Sequence, residues 1–278
     1  MRVMILGAGG MLAHDLIDTA PSDAILFRFT KRDLNITDSR SIESQIATIR
    51  PNVIVNGAAF SAVDRAETEK DAAFQVNGIA VGALGEIAKR FGARVVHYST
   101  DYVFDGAASV PYKETSPTNP INVYGASKLS GEIALSQSGA NFLLIRSQWL
   151  FGRHGRCFPK TMHERALAGL VTRVVMDQTG RPTHTRDLAQ AMWSLLGREA
   201  MGVFHFANEG QVTWFDVASR IFARAGRSHL LKACTTAEYL TPARRPKYSV
   251  LDTTSIQRIL GSPINRYETC LDDFLDSI

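Results

Sequence analysis

Residues 3–13 read Val-Met-Ile-Leu-Gly-Ala-Gly-Gly-Met-Leu-Ala, and the fold follows from them. Four successive apolar residues suit a strand buried on both faces, and the glycines then turn the chain into a helix. Gly7, Gly10 and Ala13 fit a Gly-x-x-Gly-x-x-Gly/Ala turn. Positions without a large side chain let backbone N–H groups at a helix start approach a pyrophosphate closely. A plain tight loop needs neither the strand before nor the helix after, so the context favours dinucleotide binding.

Outward from this turn, β-branched runs alternate with helical patterns. The pattern predicts strands at Ala24–Phe27, Val53–Val55, Arg94–Ser99 and Phe142–Ile145, and a helix starting near Asn122. Strands alternating with helices build right-handed βαβ units and a parallel sheet covered on both faces. Beyond residue 150 the rhythm loosens. Helices are expected at Phe158–Ala168, Arg186–Leu196 and Trp214–Ala225, strands at Arg173–Met176 and Val203–Phe206, and two short helices among Pro242, Pro246 and Pro263. The expected architecture is α/β: a Rossmann-type doubly wound parallel sheet over residues 1–150, rejoined by 181–207. A smaller C-terminal substrate-binding lobe is expected from 151–180 and 208–278.

Hydrophobic residues make up 45% and charged residues 21%, which excludes a disordered tail, a collagen-like repeat and a disulfide miniprotein. No apolar run approaches the roughly 20 residues that cross a bilayer. The early glycines also interrupt what a signal peptide keeps apolar, so a cytoplasmic protein with no membrane partner is expected. Lys and Arg number 31 against 27 Asp and Glu, a scattered surplus that suits anionic small ligands and calls for no nucleic acid. Cys157, Cys234 and Cys270 are too widely spaced for a disulfide framework or a thiolate cage. His154 and Cys157 lack obvious further ligands, and no metal is expected.

The residues after the second strand bear on which dinucleotide fits. A carboxylate there holds the ribose 2′-hydroxyl of NAD and repels the 2′-phosphate of NADP. This chain has Arg28-Phe29-Thr30-Lys31-Arg32, with no acid at the strand end and two cations following. Thr30, Lys31 and Arg32 therefore favour NADPH, with NADH as the alternative; the bland reading makes the two cations solvated loop charges.

Tyr124 and Lys128 stand one turn apart in Tyr-Gly-Ala-Ser-Lys, on one helix face. A phenol of ordinary pKa near 10 is a poor acid–base group at neutral pH, and an adjacent ammonium lowers it by favouring the phenolate. A pair on an ordinary surface helix is the plain alternative. Thr100 shifts the balance, because it ends the fourth strand in His97-Tyr98-Ser99-Thr100-Asp101-Tyr102, at the edge where open α/β sheets bind ligands.

Together, the glycine turn, the hydroxyl after the fourth strand and the Tyr-x-x-x-Lys pair resemble the extended short-chain dehydrogenase/reductase superfamily. Longer segments are similar to the dTDP-4-dehydrorhamnose reductase family over nearly the whole chain. They include Pro51–Ala59, Ala62–Glu67, His97–Phe104, Asn122–Gly125, Arg146–Trp149, Asp177–Thr183 and Arg245-Pro246. The resemblance implies NADPH-dependent reduction of the C4 ketone of a dTDP-6-deoxy-4-keto-hexose, in dTDP-rhamnose biosynthesis, by a monomer or homodimer. It implies Tyr124 as proton donor, Lys128 as its electrostatic partner and ribose anchor, and Thr100 as the hydroxyl holding the substrate carbonyl. Gly7, Gly10, Met11 and Leu12 would touch the pyrophosphate. Asn35 and Ile36 stand where an Asp-hydrophobic pair usually meets the adenine, and Ala58, Ala59 and Phe60 would line the cofactor. Val63, Asp101 and Trp149 would meet the nucleotide sugar, although Trp149 also reads as a core residue.

Two departures accompany the resemblance. Gly155-Arg156-Cys157-Phe158 puts a thiol where relatives often carry an amide, and Thr30 stands where many carry an acid. Competing readings differ in chemistry. A sugar-nucleotide dehydratase follows its Thr-Asp pair with Glu, whereas Tyr102 stands here. An epimerase recycles its hydride and retains its cofactor. A non-catalytic regulatory subunit of the same fold has no need to keep Thr100, Tyr124 and Lys128 together.

Overall fold

A computed structural model describes all 278 residues. The first half runs β1 (Arg2–Leu6), α1 (Met11–Asp18), β2 (Ile25–Phe29), α2 (Ser39–Ile49), β3 (Val53–Asn56), α3 (Val63–Ala66) and α4 (Lys70–Phe74). A π-helical turn, Gln75–Ile79, leads into α5 (Ala80–Phe91), β4 (Arg94–Thr100), α6 (Val123–Gln137) and β5 (Phe142–Ser147). The second half continues with β6 (Leu150–Phe151), α7 (Phe158–Leu167), β7 (Thr172–Val175), β8 (Thr179–Gly180), β9 (Thr183–His184) and α8 (Thr185–Gly197). It ends with β10 (Gly202–His205), β11 (Val212–Thr213), α9 (Trp214–Arg224), β12 (Leu231–Cys234), α10 (Thr254–Leu260) and α11 (Tyr267–Asp276).

Six parallel strands form the main sheet in the order β10-β5-β4-β3-β1-β2. After β1 the chain steps one way to β2 and then back past β1 to β3. That reversal opens a crevice at the carboxyl ends of β1 and β3, where open sheets of this kind receive ligands. Val3, Ile5, Val55 and Val96 pack against Leu16 of α1, Leu188 and Met192 of α8, and Ile256 of α10. On the other face Met4, Leu6, Ile54 and Val95 meet Ile42 and Ile46 of α2 and Leu84 of α5.

β1, β3, β4 and β5 are almost wholly buried, as their unbroken apolar runs require. β2 departs from the two-sided burial expected of it. It is the edge strand, and Ile25 is 55% exposed there.

A third core gathers Phe151, Met162, Val217, Phe222, Leu271 and Phe274 from β6, α7, α9 and α11. Beside it β7 pairs in parallel with β12, a strand absent from the expected elements of the last fifty residues. Its two middle residues, Lys232 and Ala233, are both exposed, so the strand has no continuous apolar run. α9 owes its sharp start to a capping box between Thr213 and Asp216.

Candidate active site

The glycine turn is built for close approach. Gly7 has φ +75°, and a Cβ there would lie 2.6 Å from the Ala58 nitrogen, so the ends of β1 and β3 touch only because it is glycine. Gly10 caps α1 without a side-chain acceptor, and no acid stands in the first turn. The first N–H groups of α1, at Met11 and Leu12, are thus free to receive an anion. Ala59 is exposed and Ala58 and Phe60 half-buried on the far side of the crevice. The Phe60 backbone is clamped by Asn77, whose Oδ1 accepts from the Phe60 N–H at 2.8 Å and whose Nδ2 donates to the Phe60 carbonyl at 3.0 Å. The same Nδ2 donates to Ser127 Oγ on α6 at 2.9 Å. Asn77 sits in the π-helical turn, a local widening that often marks functional sites.

At the end of β2 the structure corrects the sequence reading. Asp33 Oδ2 reaches back to accept from both the Thr30 N–H, at 2.9 Å, and the Thr30 hydroxyl, at 2.7 Å. An acid therefore does lie against the strand end, and these two bonds hold its carboxyl below the ordinary value. Lys31 and Arg32 are exposed beside it. A second correction concerns Ile36, whose side chain is packed in the core against the sheet, leaving only the exposed Asn35 of that pair at the surface.

Thr100 ends β4, and Tyr124 and Lys128 lie in the first two turns of α6. Asn122 caps α6 by accepting from the Gly125 N–H at 2.7 Å. A Cβ on Gly125 would lie 2.1 Å from the Tyr102 carbonyl oxygen, so glycine lets the turn after β4 press against the helix start. This sets Tyr124 against the turn that follows β4. The Tyr102 ring meets that of Tyr124 edge-on, with centroids 5.9 Å apart.

The electrostatics reverse one expectation. Burial, then the charge of Asp101, pushes the Tyr124 phenol up to about 12, against the pull of Thr100. The reason lies in where Lys128 points. Its Nζ donates to the Tyr98 carbonyl at 2.6 Å and faces His97 Nε2 at 3.2 Å, beneath the sheet edge. Asn56 Oδ1 accepts from the Ala58 N–H, which turns its Nδ2 toward His97 Nδ1 at 3.1 Å. Burial, then the Lys128 charge, holds His97 well below the ordinary imidazole range, so it is neutral. Burial also lowers Lys128 to about 8, with Glu132 opposing. Glu132 is itself held by buried Arg146 at 2.7 Å.

Next to Tyr102 a cavity of about 450 Å³ opens between the main sheet and the smaller core. Asp64 and Tyr102 line one side; Arg173, Arg245 and aromatic Phe158, Trp214 and Tyr239 line the rest. Arg245 grips Asp64 through two bonds of 3.0 and 2.9 Å, closing the floor. Trp149 adjoins it, its ring stacked on Trp214 at 3.6 Å and its backbone held at φ +48°, an unusual state for a bulky residue. Val63 is half-buried at the start of α3. Asp101, expected at the sugar, is 2% exposed and bonded to Thr100 behind the site, so its carboxyl is turned from the cavity.

Residues 1–278 match the family described as the RmlD substrate binding domain over their whole length. The chain belongs to the dTDP-4-dehydrorhamnose reductase family. It is 38% identical over 276 residues to the dTDP-4-dehydrorhamnose reductase of Aggregatibacter actinomycetemcomitans, covering 94% of this chain and 93% of that one. It is 40% identical to a probable dTDP-4,6-dihydroxy-2-methyloxan-3-one 4-ketoreductase of Streptomyces antibioticus, covering 90% and 86%. The dTDP-4-dehydrorhamnose reductase of Bacillus anthracis, crystallised in complex with NADP, superimposes with a TM-score of 0.95 at 33% identity, over 100% of this chain and 99% of that one.

This member of the dTDP-4-dehydrorhamnose reductase family also holds residues that spacing alone passed over. Asn77 is a polar residue followed by Gly78 within an apolar helical stretch, a signal that was present and unread. His184, Asp187 and Cys270 converge within 4.8 Å. Asp187 Oδ2 already accepts from Asn208, Asn265 and Cys270, which ties α8 to α11. Cys157, the departure from the family's amide, is buried in the third core. No helix is long and apolar enough to cross a membrane.

Proposed function

We propose that this chain reduces the C4 ketone of dTDP-4-dehydro-β-L-rhamnose with NADPH, giving dTDP-β-L-rhamnose. The observation that carries this reading is a protonated phenol, Tyr124, packed edge-on against Tyr102, which lines a cavity rich in arginines and aromatic rings. The cofactor fits the chain because Gly7 leaves room for a pyrophosphate and α1 offers uncapped N–H groups to it. Gly10, Met11 and Leu12 would hold the diphosphate, Lys31 and Arg32 the 2′-phosphate and Lys128 the ribose. When bound, the dinucleotide supplies the hydride.

The chain's own part is to position and to protonate. As negative charge grows on the sugar oxygen, Tyr124 donates to it, and a donor aimed at that charge stabilises the transition state more than the ketone. A phenol raised to about 12 keeps its proton until the alkoxide forms, which suits reduction. Arg173 and Arg245 suit the sugar-nucleotide diphosphate, and Trp214 and Tyr239 the base. Three free, buried cysteines fit work in a reducing cytoplasm.

A second reading, a 4-ketoreductase for another dTDP-6-deoxy-sugar, is favoured by the likeness to the Streptomyces antibioticus protein. A regulatory subunit without activity is disfavoured by the intact Thr100, Tyr124 and Lys128. The test follows NADPH absorbance with enzymatically generated dTDP-4-dehydro-β-L-rhamnose beside other keto-sugar nucleotides. Fastest turnover with that sugar is expected; oxidation of NADPH with none of them would remove the reading.

A further inference from the structure

We propose that His184, Asp187 and Cys270 form a site for a divalent cation of the zinc class, which clips α8 of the main sheet to α11 of the smaller core. None of the three lines the cavity, and the inference does not depend on which sugar is reduced.

The donor set carries the argument. Imidazole, carboxylate and thiol offer a nitrogen, an oxygen and a sulfur, and these atoms all lie within 4.8 Å of one another. A tetrahedral zinc holds such ligands at about 2.0–2.3 Å and so sets them about 3.4–3.6 Å apart. His184 Nδ1 already stands 3.5 Å from Asp187 Oδ1. Cys270 Sγ stands 3.2 Å from the other oxygen, Oδ2. The widest gap closes by about 1 Å, which the half-buried His184 ring supplies by turning. Water completes the four ligands, because the His184 and Asp187 side chains keep exposures of 18% and 13%.

The surroundings hold these groups as ligands are held. Asn208 is fully buried and touches all three residues. Its Oδ1 accepts from the His184 N–H at 2.7 Å, and its Nδ2 donates to Asp187 Oδ2 at 2.6 Å and to Cys270 Sγ at 3.4 Å. Asn265 Nδ2 adds a bond to Asp187 Oδ2 at 3.1 Å. Every hydrogen bond to the carboxylate therefore falls on Oδ2, while Oδ1 has only the long contact with the imidazole. Outer groups that fix one carboxylate oxygen leave the other aimed at a cation.

Charge decides which species fits. Burial opposes ionisation of Asp187, but its contacts with His184, Asn208, Cys270 and Asn265 hold the carboxyl at about 2, so it is a carboxylate. A bare thiolate beside it would be repelled. A dication between the two turns that repulsion into shared attraction, and coordination removes the thiol proton. The S–H bond breaks, a metal–sulfur bond forms, the proton leaves to water, and no electrons change hands. A thiolate with an imidazole selects a borderline cation over magnesium or calcium, which take oxygen. His184 and Asp187 stand at the start of α8, whose Leu188 and Met192 enter the main core, and Cys270 lies in the third core on α11. The cation thus bridges two cores.

Cobalt(II) titration of the tag-free, reduced full chain tests this, because cobalt takes the place of zinc and reports a thiolate bond by its colour. A single equivalent should produce a thiolate-to-cobalt charge-transfer band in the near ultraviolet, and zinc should erase it. Cys270→Ala should lose the band although Cys157 and Cys234 remain. His184→Ala, at a partly exposed position, should weaken cobalt binding by about tenfold or more. A wild type without the band, a band that survives Cys270→Ala, or undiminished affinity in His184→Ala overturns the site. The wild-type spectrum decides by itself should a variant not fold, and none of these readouts requires turnover.

Discussion

Replacing Lys128 by methionine keeps the length of the side chain and removes its amine, and the effect on stability should depend on pH in a defined direction. Burial lowers this lysine from 10.5 to about 8 in the folded protein. Between those values the unfolded chain binds the proton and the folded chain does not, so stability rises with pH there. At 1.36 kcal/mol per pKa unit, the rise amounts to about 3 kcal/mol. Below about pH 8 the wild type carries the full cost of a buried ammonium, and above 10.5 that cost is gone. Methionine leaves the Tyr98 carbonyl without its donor, but that loss does not vary with pH. The buried phenols of Tyr98, Tyr102 and Tyr124, all pushed upward, destabilise both proteins at high pH and largely cancel in the comparison. Urea unfolding at stepped pH, read as the difference between wild type and variant, is the assay. The wild type should gain about 3 kcal/mol on the variant across the window. Parallel curves would show that Lys128 is not desolvated, and the account of why it fails to acidify Tyr124 would fall.

Tyr124→Phe should bind NADPH as the wild type does by fluorescence titration and turn over about 10²–10⁴-fold more slowly; undiminished turnover removes Tyr124 from proton transfer. Asn77→Ala loses three buried hydrogen bonds, and at about 1 kcal/mol each it should lower the urea midpoint by the equivalent of about 3 kcal/mol and weaken NADPH binding; an unshifted midpoint refutes the clamp. Arg245→Ala should leave stability within about 1 kcal/mol, because its partner Asp64 is partly exposed. It should nevertheless raise KM for the sugar nucleotide about tenfold by loss of a charged contact, and an unchanged KM would move the diphosphate elsewhere. Lys31→Ala with Arg32→Ala should raise KM for NADPH more than for NADH; equal effects would mean that neither cation meets the 2′-phosphate.

Strands β1, β3, β4 and β5 were legible because burial on both faces writes itself as unbroken apolar sequence. Gly7, Thr100, Tyr124 and Lys128 were legible because a tight turn, a strand end and a helical turn each constrain residue type locally. What escaped depends on where atoms finish in three dimensions. Asp33 lies four residues beyond the end of β2, yet its carboxylate returns to Thr30. Lys128 shares a helix face with Tyr124, yet its amine runs to the Tyr98 carbonyl, so burial wins over the pairing that spacing suggested. Asp101 follows Thr100 directly, and no spacing rule says that it turns inward.

The path of the chain around the cavity limits how sugar preference can be exchanged between relatives. The wall is made by two separated stretches, one containing α7 and β7 and the other α9 and the segment through Arg245, with β10 of the main sheet between them. After that second stretch, Ile256 and Ile264 bury themselves under the main sheet. A graft of the wall from one enzyme to another would therefore need several splice points and would cut through the scaffold's own core. Divergence toward new sugars is left to single replacements around the cavity, and library design that varies Phe158, Thr161, Gln178 and Tyr239 in place follows the same route.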